Sequence, residues 1–535
     1  MKIRIRLSIL IAAVILHGLL NRPAFSQVLT EGTFKIGRTL SLIDAFYVDS
    51  VNVNSLTETV IIETLRNLDP HSVYISAKDV KEMNEPLNGN FEGIGIQFNL
   101  LYDTIIVIEP LPGGPSEKVG LRAGDRIVMI DSEKVTGIGI STSGVRSRLM
   151  GAKGTKVNIS VFRKGEKGLL AFTIIRDKIP INSLDAAYML DEETGYIRLN
   201  KFAAPTEKEF SEAVELLKKN HMQNLILDLR GNGGGYMLAA TAVADKFFYN
   251  QKLLVYLRGR KTPRQDFKSE GEGNLSSARV VVLVDEGSAS ASEILAGALQ
   301  DWDRGVIMGR RTFGKGLVQH GYYLNDGSMI RLTVARYYTP TGRSIQSSYD
   351  EGYDKYIENF YKRYTNGEMM TADSIRFPDS LRFKTLVNNR IVYGGGGIMP
   401  DIFVAADTSS NTDYFRNLVR RGILNTFALE YSDRNRNKLT SGYMTFDDFN
   451  DKFAFSSEDV KAFIKKGEDA GIKFNESQYK ISKNDMLKAL KALVATNMWQ
   501  TNEYFRVMNE GDKVIEKAIE VISDKTTYDK ILGYR

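Results

Sequence analysis

With 535 residues, 43% of them apolar and 25% charged, the chain is long enough for about three or four globular domains. It has no cysteine, which excludes disulfides, thiolate metal sites and a cysteine nucleophile, and its four histidines with no HExxH give no basis for a multi-histidine metal centre. The formal charge of +6 falls to +2 once the four basic residues of the first 26 positions (Lys2, Arg4, Arg6, Arg22) are set aside, so nothing in it calls for nucleic acid.

Residues 1–26 have the layout of a secretory signal: those basic residues, the apolar run Leu7 to Leu16, and Ala24-Phe25-Ser26 as the cleavage site. The expectation is an exported protein of a bacterial periplasm, where a chain without thiols has nothing to be oxidised. If kept, the segment would hold the chain at the inner membrane. No second apolar run is long enough to span a bilayer. Residues 27–85 read as helical, with apolar positions at Leu40, Ile43, Phe46, Val60, Ile61 and Leu65, ended by the breaker Leu68-Asp69-Pro70-His71-Ser72. His71 is read as a turn residue.

From 86 to 165 the pattern changes to short strands with glycine turns. Phe91-Glu92-Gly93-Ile94-Gly95-Ile96 resembles the carboxylate-binding loop of a PDZ domain, and Val119-Gly120-Leu121-Arg122-Ala123-Gly124-Asp125-Arg126-Ile127 resembles its helix-turn-strand hallmark. The physics agrees, because successive N–H groups in a glycine-rich turn form an anion nest and an open strand edge accepts an extended peptide. Gly93, Ile94, Gly95 and Ile96 are therefore candidates for binding a substrate C-terminus, with Ile94 and Ile96 helping to line a pocket for its last side chain.

Residues 166–405 read as a larger α/β part. Gly195–Leu199 and Leu225–Leu229 suggest strands, with a helix from Glu207 to Asn220 that Thr206 caps. Next comes Asp228-Leu229-Arg230-Gly231-Asn232-Gly233-Gly234-Gly235. It lacks GxxxxGK[ST] and the spacing of GxGxxG, and its better use is to aim a backbone N–H at a reacting carbonyl with no Cβ in the way. Val280 to Val284 reads as a buried strand, broken at Asp285-Glu286-Gly287, and Ser288 to Asp301 carries apolar residues at helical spacing. A serine at such a turn sits beside unpaired N–H groups and the positive end of a helix dipole, a good place for an oxygen that passes through an oxyanion. Ser290-x-x-Glu293 also fits a plain capping box, with Glu293 as the cap. Beyond it, Tyr322–Leu324 and Met329–Val334 read as a hairpin joined by Asn325-Asp326-Gly327. The insertion 349–391 carries no evident chemistry. Residues 406–535 show amphipathic helices, one capped at Ser457 and one opened by Ser482-x-x-Asp485; a lid, an oligomerisation arm and a docking site all remain open for them.

Ser288-Ala289-Ser290-Ala291-Ser292-Glu293 and Phe313-Gly314-Lys315-Gly316-Leu317-Val318-Gln319 together resemble the C-terminal processing (tail-specific) serine proteases, over about residues 35–405. The resemblance implies Ser290 as nucleophile, Lys315 as its base and Gln319 as the supporting residue. It pairs the N–H of Gly235 with that of Ala291 as an oxyanion hole, the choice among Gly233, Gly234 and Gly235 staying open. Asp301 is a family-like position read as support for the helix end. The implied fold is multi-domain α/β: a crotonase-like ββα core with an inserted PDZ domain able to gate the site, flanked by helical regions. No metal or organic cofactor is implied. Unfolded or tail-exposed proteins with apolar C-termini would be the substrates, and a homo-oligomer or an adaptor protein a further partner. A lysine base must be neutral, so its pKa has to fall from about 10.4 by burial.

Two rivals stand beside this reading. A Ser-His-Asp hydrolase would use His320 or His71, but neighbours in a strand face opposite sides, so His320 faces away if Gln319 faces the site. A non-catalytic PDZ-bearing scaffold or chaperone on a protease-like fold is disfavoured by the intact serine, lysine and glycine loop.

Overall fold

The computed structural model describes residues 31–534 other than 112, 250 and 272, so the signal expected at 1–26 lies outside the described residues. The chain divides into two units, to Leu68 and from Asp69 onward. The first holds the helices Glu31–Phe46 and Val53–Arg66, the latter capped by Asn52, whose side chain accepts the Ser55 N–H. The helical reading of 27–85 does not extend unbroken into the second unit. There Val73–Ile75, a β-branched and aromatic triplet just after the breaker, is a strand paired with Met329–Tyr338 before the helix Ala77–Asn88 begins.

The second unit is α/β and is built on a six-stranded sheet in the order Leu184–Met189, Thr194–Leu199, Asn224–Asp228, Arg279–Val284, Val306–Gly309, Ile402–Phe403. The first pair is antiparallel and the rest are parallel. A parallel sheet is buried on both faces, which is why its strands read as unbroken apolar runs. Val280, Val282 and Val284 face one core with Leu225 and Leu227, while Val281 and Leu283 face the other with Ile226. Helices Thr206–Lys219, Met237–Asp245 and Ala291–Asp301 cover the first face. Pro205 is the N-cap of the first of these; Thr206 is its first residue, fully buried, with its hydroxyl accepting the Ala203 N–H at 2.8 Å.

The other face is covered from the far end of the chain. Val514, Ile515, Ala518, Val521 and Ile522 of Lys513–Ser523 lie on it, with Tyr528 and Leu532. A boundary at 405 therefore separates two helices from the core they complete. Their spacing marks an amphipathic helix but cannot say which surface it meets. The Tyr528 hydroxyl accepts the Val280 N–H (2.9 Å) and donates to the Val280 carbonyl (3.0 Å). Tyr528→Phe removes the partner of both buried groups, and a loss of about 1–3 kcal/mol is expected in equilibrium unfolding.

The remainder of the tail has its own aromatic core, including Tyr414, Phe427, Phe449 and Phe463. Its helix starts differ from expectation. Ser456, not Ser457, caps Ser457–Asp469, and Asn475 caps Glu476–Met498, so Ser482 lies inside that helix, buried, with its hydroxyl on the Ser410 carbonyl (2.6 Å). Leu429 of the tail packs with Leu101, Ile106 and Ile108, and Asp433 pairs with Arg126 at 2.6 Å.

Those partners belong to a separate antiparallel sheet in the order Ile96–Leu101, Thr104–Pro110, Arg126–Ile130, Lys156–Phe162, Leu169–Ile175. It runs past the boundary expected at 165. Gly165 and Gly168, both at positive φ, form the turn of a hairpin whose second strand ends at Ile175. A five-stranded sheet carries the Leu317–Tyr323 and Met329–Tyr338 hairpin, with Gly327 at φ 86 in the turn.

Candidate active site

Where the Arg279–Val284 strand turns into the Ala291–Asp301 helix, two of three serines are already spoken for. Ser288 donates its hydroxyl to the Leu229 carbonyl and Ser292 to the Asn232 carbonyl, each at 2.8 Å, and both residues are fully buried. These bonds tie the helix start to the glycine loop. Ser290, between them, lines a cleft of about 590 Å³ together with Gly233, Gly234, Gly235, Ala291, Lys315 and Gln319. Its backbone sits at φ 57, ψ −111, a conformation that costs a residue with a Cβ on the order of 1–3 kcal/mol and persists only where the surroundings impose it.

The surroundings here are Glu293 and Tyr337. Fully buried Glu293 accepts the Ser290 N–H (2.8 Å) and Lys315 N–H (2.9 Å) on one oxygen, and the Thr312 hydroxyl (2.5 Å) and Gly314 N–H (2.7 Å) on the other. The capping contact read from the sequence exists, but it is one of four. The Tyr337 hydroxyl lies 2.6 Å from the Lys315 carbonyl and 3.0 Å from the Ser290 carbonyl. Two buried side chains thus each bridge the main chain of Ser290 to that of Lys315, so the separation between them is held from both ends of the peptide unit. Burial pushes the Glu293 carboxyl up to about 7, against the pull of its hydrogen bonds.

The glycine loop is pressed against the same turn. A Cβ on Gly234 would lie 2.7 Å from the Ala289 carbonyl oxygen and 2.8 Å from Ser290 Cβ; one on Gly235 would lie 2.0 Å from the Phe202 carbonyl oxygen. The Gly234 N–H is taken by Asn232 Oδ1 at 2.9 Å, which removes it from the choice of oxyanion donor. The N–H groups of Gly235 and Ala291 have no acceptor among the described residues.

Lys315 reaches Gln319 Oε1 at 3.0 Å and pairs with no carboxylate among the described residues. Burial lowers its pKa, Arg331's charge adds to the effect, and Asp69 and Glu293 oppose it. The other end of the Gln319 amide donates to the His71 carbonyl, which turns its oxygen toward the lysine. A register shift between Val318 and Gln319 brings both side chains to the cleft, and His320 is left exposed on the far side, against Tyr322. His71 is occupied: its Nε2 lies 3.0 Å from the Tyr356 hydroxyl, and burial, with the charge of Lys315, takes it down to about 4. Asp301 is buried outside the cleft lining and pairs with Arg343 at 2.7 Å, a support for the helix end as read. The 349–391 insertion also finds a place. Arg363 donates to the Thr312 and Arg311 carbonyls and to Glu368, and Phe360 packs on Phe313, bracing the loop that carries Lys315.

A second groove of about 420 Å³ lies between the Ile96–Leu101 strand and the helix Thr142–Leu149, lined by Phe91, Ile94, Gly95, Ile96, Phe98 and Leu149 among others. The strand is the edge of its sheet, open to an added strand. Gly93 lies outside this lining, in a strand paired with Asp177. Sequence reasoning missed the bridging by Glu293 and Tyr337 and the His71 carbonyl. A glutamate three residues past a turn serine gives no sign of what else it binds.

The profile of peptidase family S41 matches residues 193–352, that of the PDZ domain 93–174, and a family of unknown function, DUF8443, 414–500. Carboxy-terminal processing protease CtpB of Bacillus subtilis is 33% identical over 329 residues, 60% of this chain and 68% of that protein. The carboxy-terminal-processing protease of Bartonella bacilliformis is 36% identical over 323 residues, 58% of this chain and 72% of that protein. Among solved structures, the photosystem II D1 C-terminal processing protease is 31% identical, covering 59% of this chain and 91% of that one, with a TM-score of 0.33. With more than two thirds of such relatives covered at this identity, the chain belongs to the carboxy-terminal processing protease family, peptidase family S41, and carries that family's PDZ domain.

Proposed function

We propose that this chain is a serine endopeptidase that captures the free C-terminus of a protein in its PDZ groove and cleaves it with Ser290 as nucleophile and Lys315 as base. The observation that carries the reading is the lysine's setting: a half-buried amine with a glutamine carbonyl at 3.0 Å, no carboxylate within ion-pair distance among the described residues, and a backbone bridged twice to that of Ser290. A neutral Lys315 takes the Ser290 proton as the oxygen attacks the peptide carbonyl and returns it to the leaving amine. The developing oxyanion would lie against the N–H groups of Ala291 and Gly235. The groove beside Ile94 and Ile96 fits an apolar C-terminal residue added at the sheet edge. Export to a bacterial periplasm, directed by residues 1–26, completes the proposal.

The test is cleavage of a peptide with an apolar free C-terminus beside its C-terminal amide, with Ser290→Ala as the control. Faster cutting of the acid than of the amide, absent in the control, is expected. Equal rates would remove the tail-capture step; binding of the acid without cutting by the native protein would favour the scaffold reading.

A further inference from the structure

Among the described residues Arg331 is the guanidinium lining the Ser290 cleft, and it lacks the carboxylate partner that several other arginines packed into this chain have. Arg343 pairs with Asp301, Arg363 with Glu368, Arg390 with Asp303 and Asp401, and Arg230 with Asp228 and Asp512. Arg331 is half-buried on the Met329–Tyr338 strand, and among the described residues its polar contact is one guanidinium nitrogen on the Met83 sulfur, a weak acceptor. Among the described residues no carboxylate lies within ion-pair distance. A guanidinium offers five donors in a planar fork, and withdrawing it from water without a partner is unfavourable.

The strand register leaves it room. The residue directly opposite on Leu317–Tyr323 is Gly321, which has no side chain, and two residues along the same strand is Gln319, the partner of Lys315. The fork therefore lines the space a bound peptide would fill, on the lysine side of the cleft.

We propose that Arg331 is a specificity residue of the cleft that takes a carboxylate of the peptide being cut, either an Asp or Glu side chain near the scissile bond or the terminal carboxylate itself. The proposal rests on the Ser290 cleft being where peptide binds, and it is separate from tail capture in the PDZ groove. A bidentate Arg–carboxylate pair in a half-dry cleft is a charge-assisted contact that a neutral isostere cannot reproduce.

The experiment scans Glu against Gln, one position at a time, through four residues on each side of the cleaved bond of a C-terminally amidated peptide. A second arm compares free acid with amide in the all-Gln peptide. Each is read as kcat/KM in the native protein and in Arg331→Gln, and as binding of labelled peptide to Ser290→Ala with and without Arg331→Gln. The binding arm needs no chemistry, so it stays informative even if the Ser/Lys reading fails. A preference of about tenfold or more for Glu at one position, falling to near one in Arg331→Gln, is expected and assigns the side-chain source. A free-acid preference that disappears in Arg331→Gln assigns the terminal source. No carboxylate preference in either arm, or one that Arg331→Gln leaves unchanged, overturns the proposal.

Discussion

Lys315→Met is expected to slow peptide cleavage roughly 10³-fold while the protein still folds, because it removes the group proposed to take the Ser290 proton and keeps the apolar stem that fills the site. Lys315→Arg is expected to be no better. A guanidinium stays protonated at any working pH and cannot act as a base, however well it occupies the space. The pH dependence has a definite sign. Burial, helped by Arg331, lowers the lysine's pKa, so the neutral amine is populated below the ordinary lysine range and activity rises with pH as the proton leaves. The same shift acts on stability. Between the lowered folded value and about 10.4 the unfolded chain binds the extra proton, so this group makes the fold more stable as pH rises through that window. Initial rates across a pH series, with circular dichroism on each variant, check both parts. A Lys315→Met protein that cut at the native rate would put the base elsewhere. Neither His71, held by Tyr356, nor the exposed His320 is placed to replace it.

Glu293→Gln is expected to be nearly as damaging, although the two side chains have the same shape. Both carboxylate oxygens receive two donors each, three of the four being main-chain N–H groups. An amide nitrogen on either position meets an N–H head-on. The Thr312 hydroxyl can turn to accept; Gly314, Ser290 and Lys315 cannot. At least one buried N–H loses its acceptor, which costs about 1–3 kcal/mol, and the strained turn at Ser290 loses a bond that holds it. The expected signature is a fall of roughly 10²-fold in kcat with little change in KM, since the group holds the proposed nucleophile and base in place and lies buried behind them. A loss confined to KM would show that Glu293 serves binding instead. The four donors require the ionised form, yet burial raises its pKa to about 7, so activity is expected to fall as pH drops through neutrality and the carboxyl takes a proton. Stability moves the other way. From the ordinary value of 4.5 up to about 7 the native state holds a proton the unfolded chain has released, so this group's contribution weakens as pH rises through that window.

The candidate site was legible in the sequence because the chemistry proposed for it rests on short local stretches: a serine just past a buried valine strand, a glycine run after another, and a lysine flanked by glycines and followed four residues later by a glutamine. Local geometry dictates what such stretches can do, and it also marked the open-edged strand beside Ile94. The sequence alone could not choose among the three serines by physics. The fold does so by placing the Leu229 and Asn232 carbonyls against Ser288 and Ser292 and leaving Ser290 at the cleft. Nor could it show that His71, more than two hundred residues upstream of Gln319, turns that amide with its carbonyl, or that Lys513–Ser523 closes a sheet whose first strand begins at Leu184. Periodicity reveals that a helix has an apolar face; only the packed structure decides what that face covers, because burial depends on which surfaces the whole chain leaves uncovered.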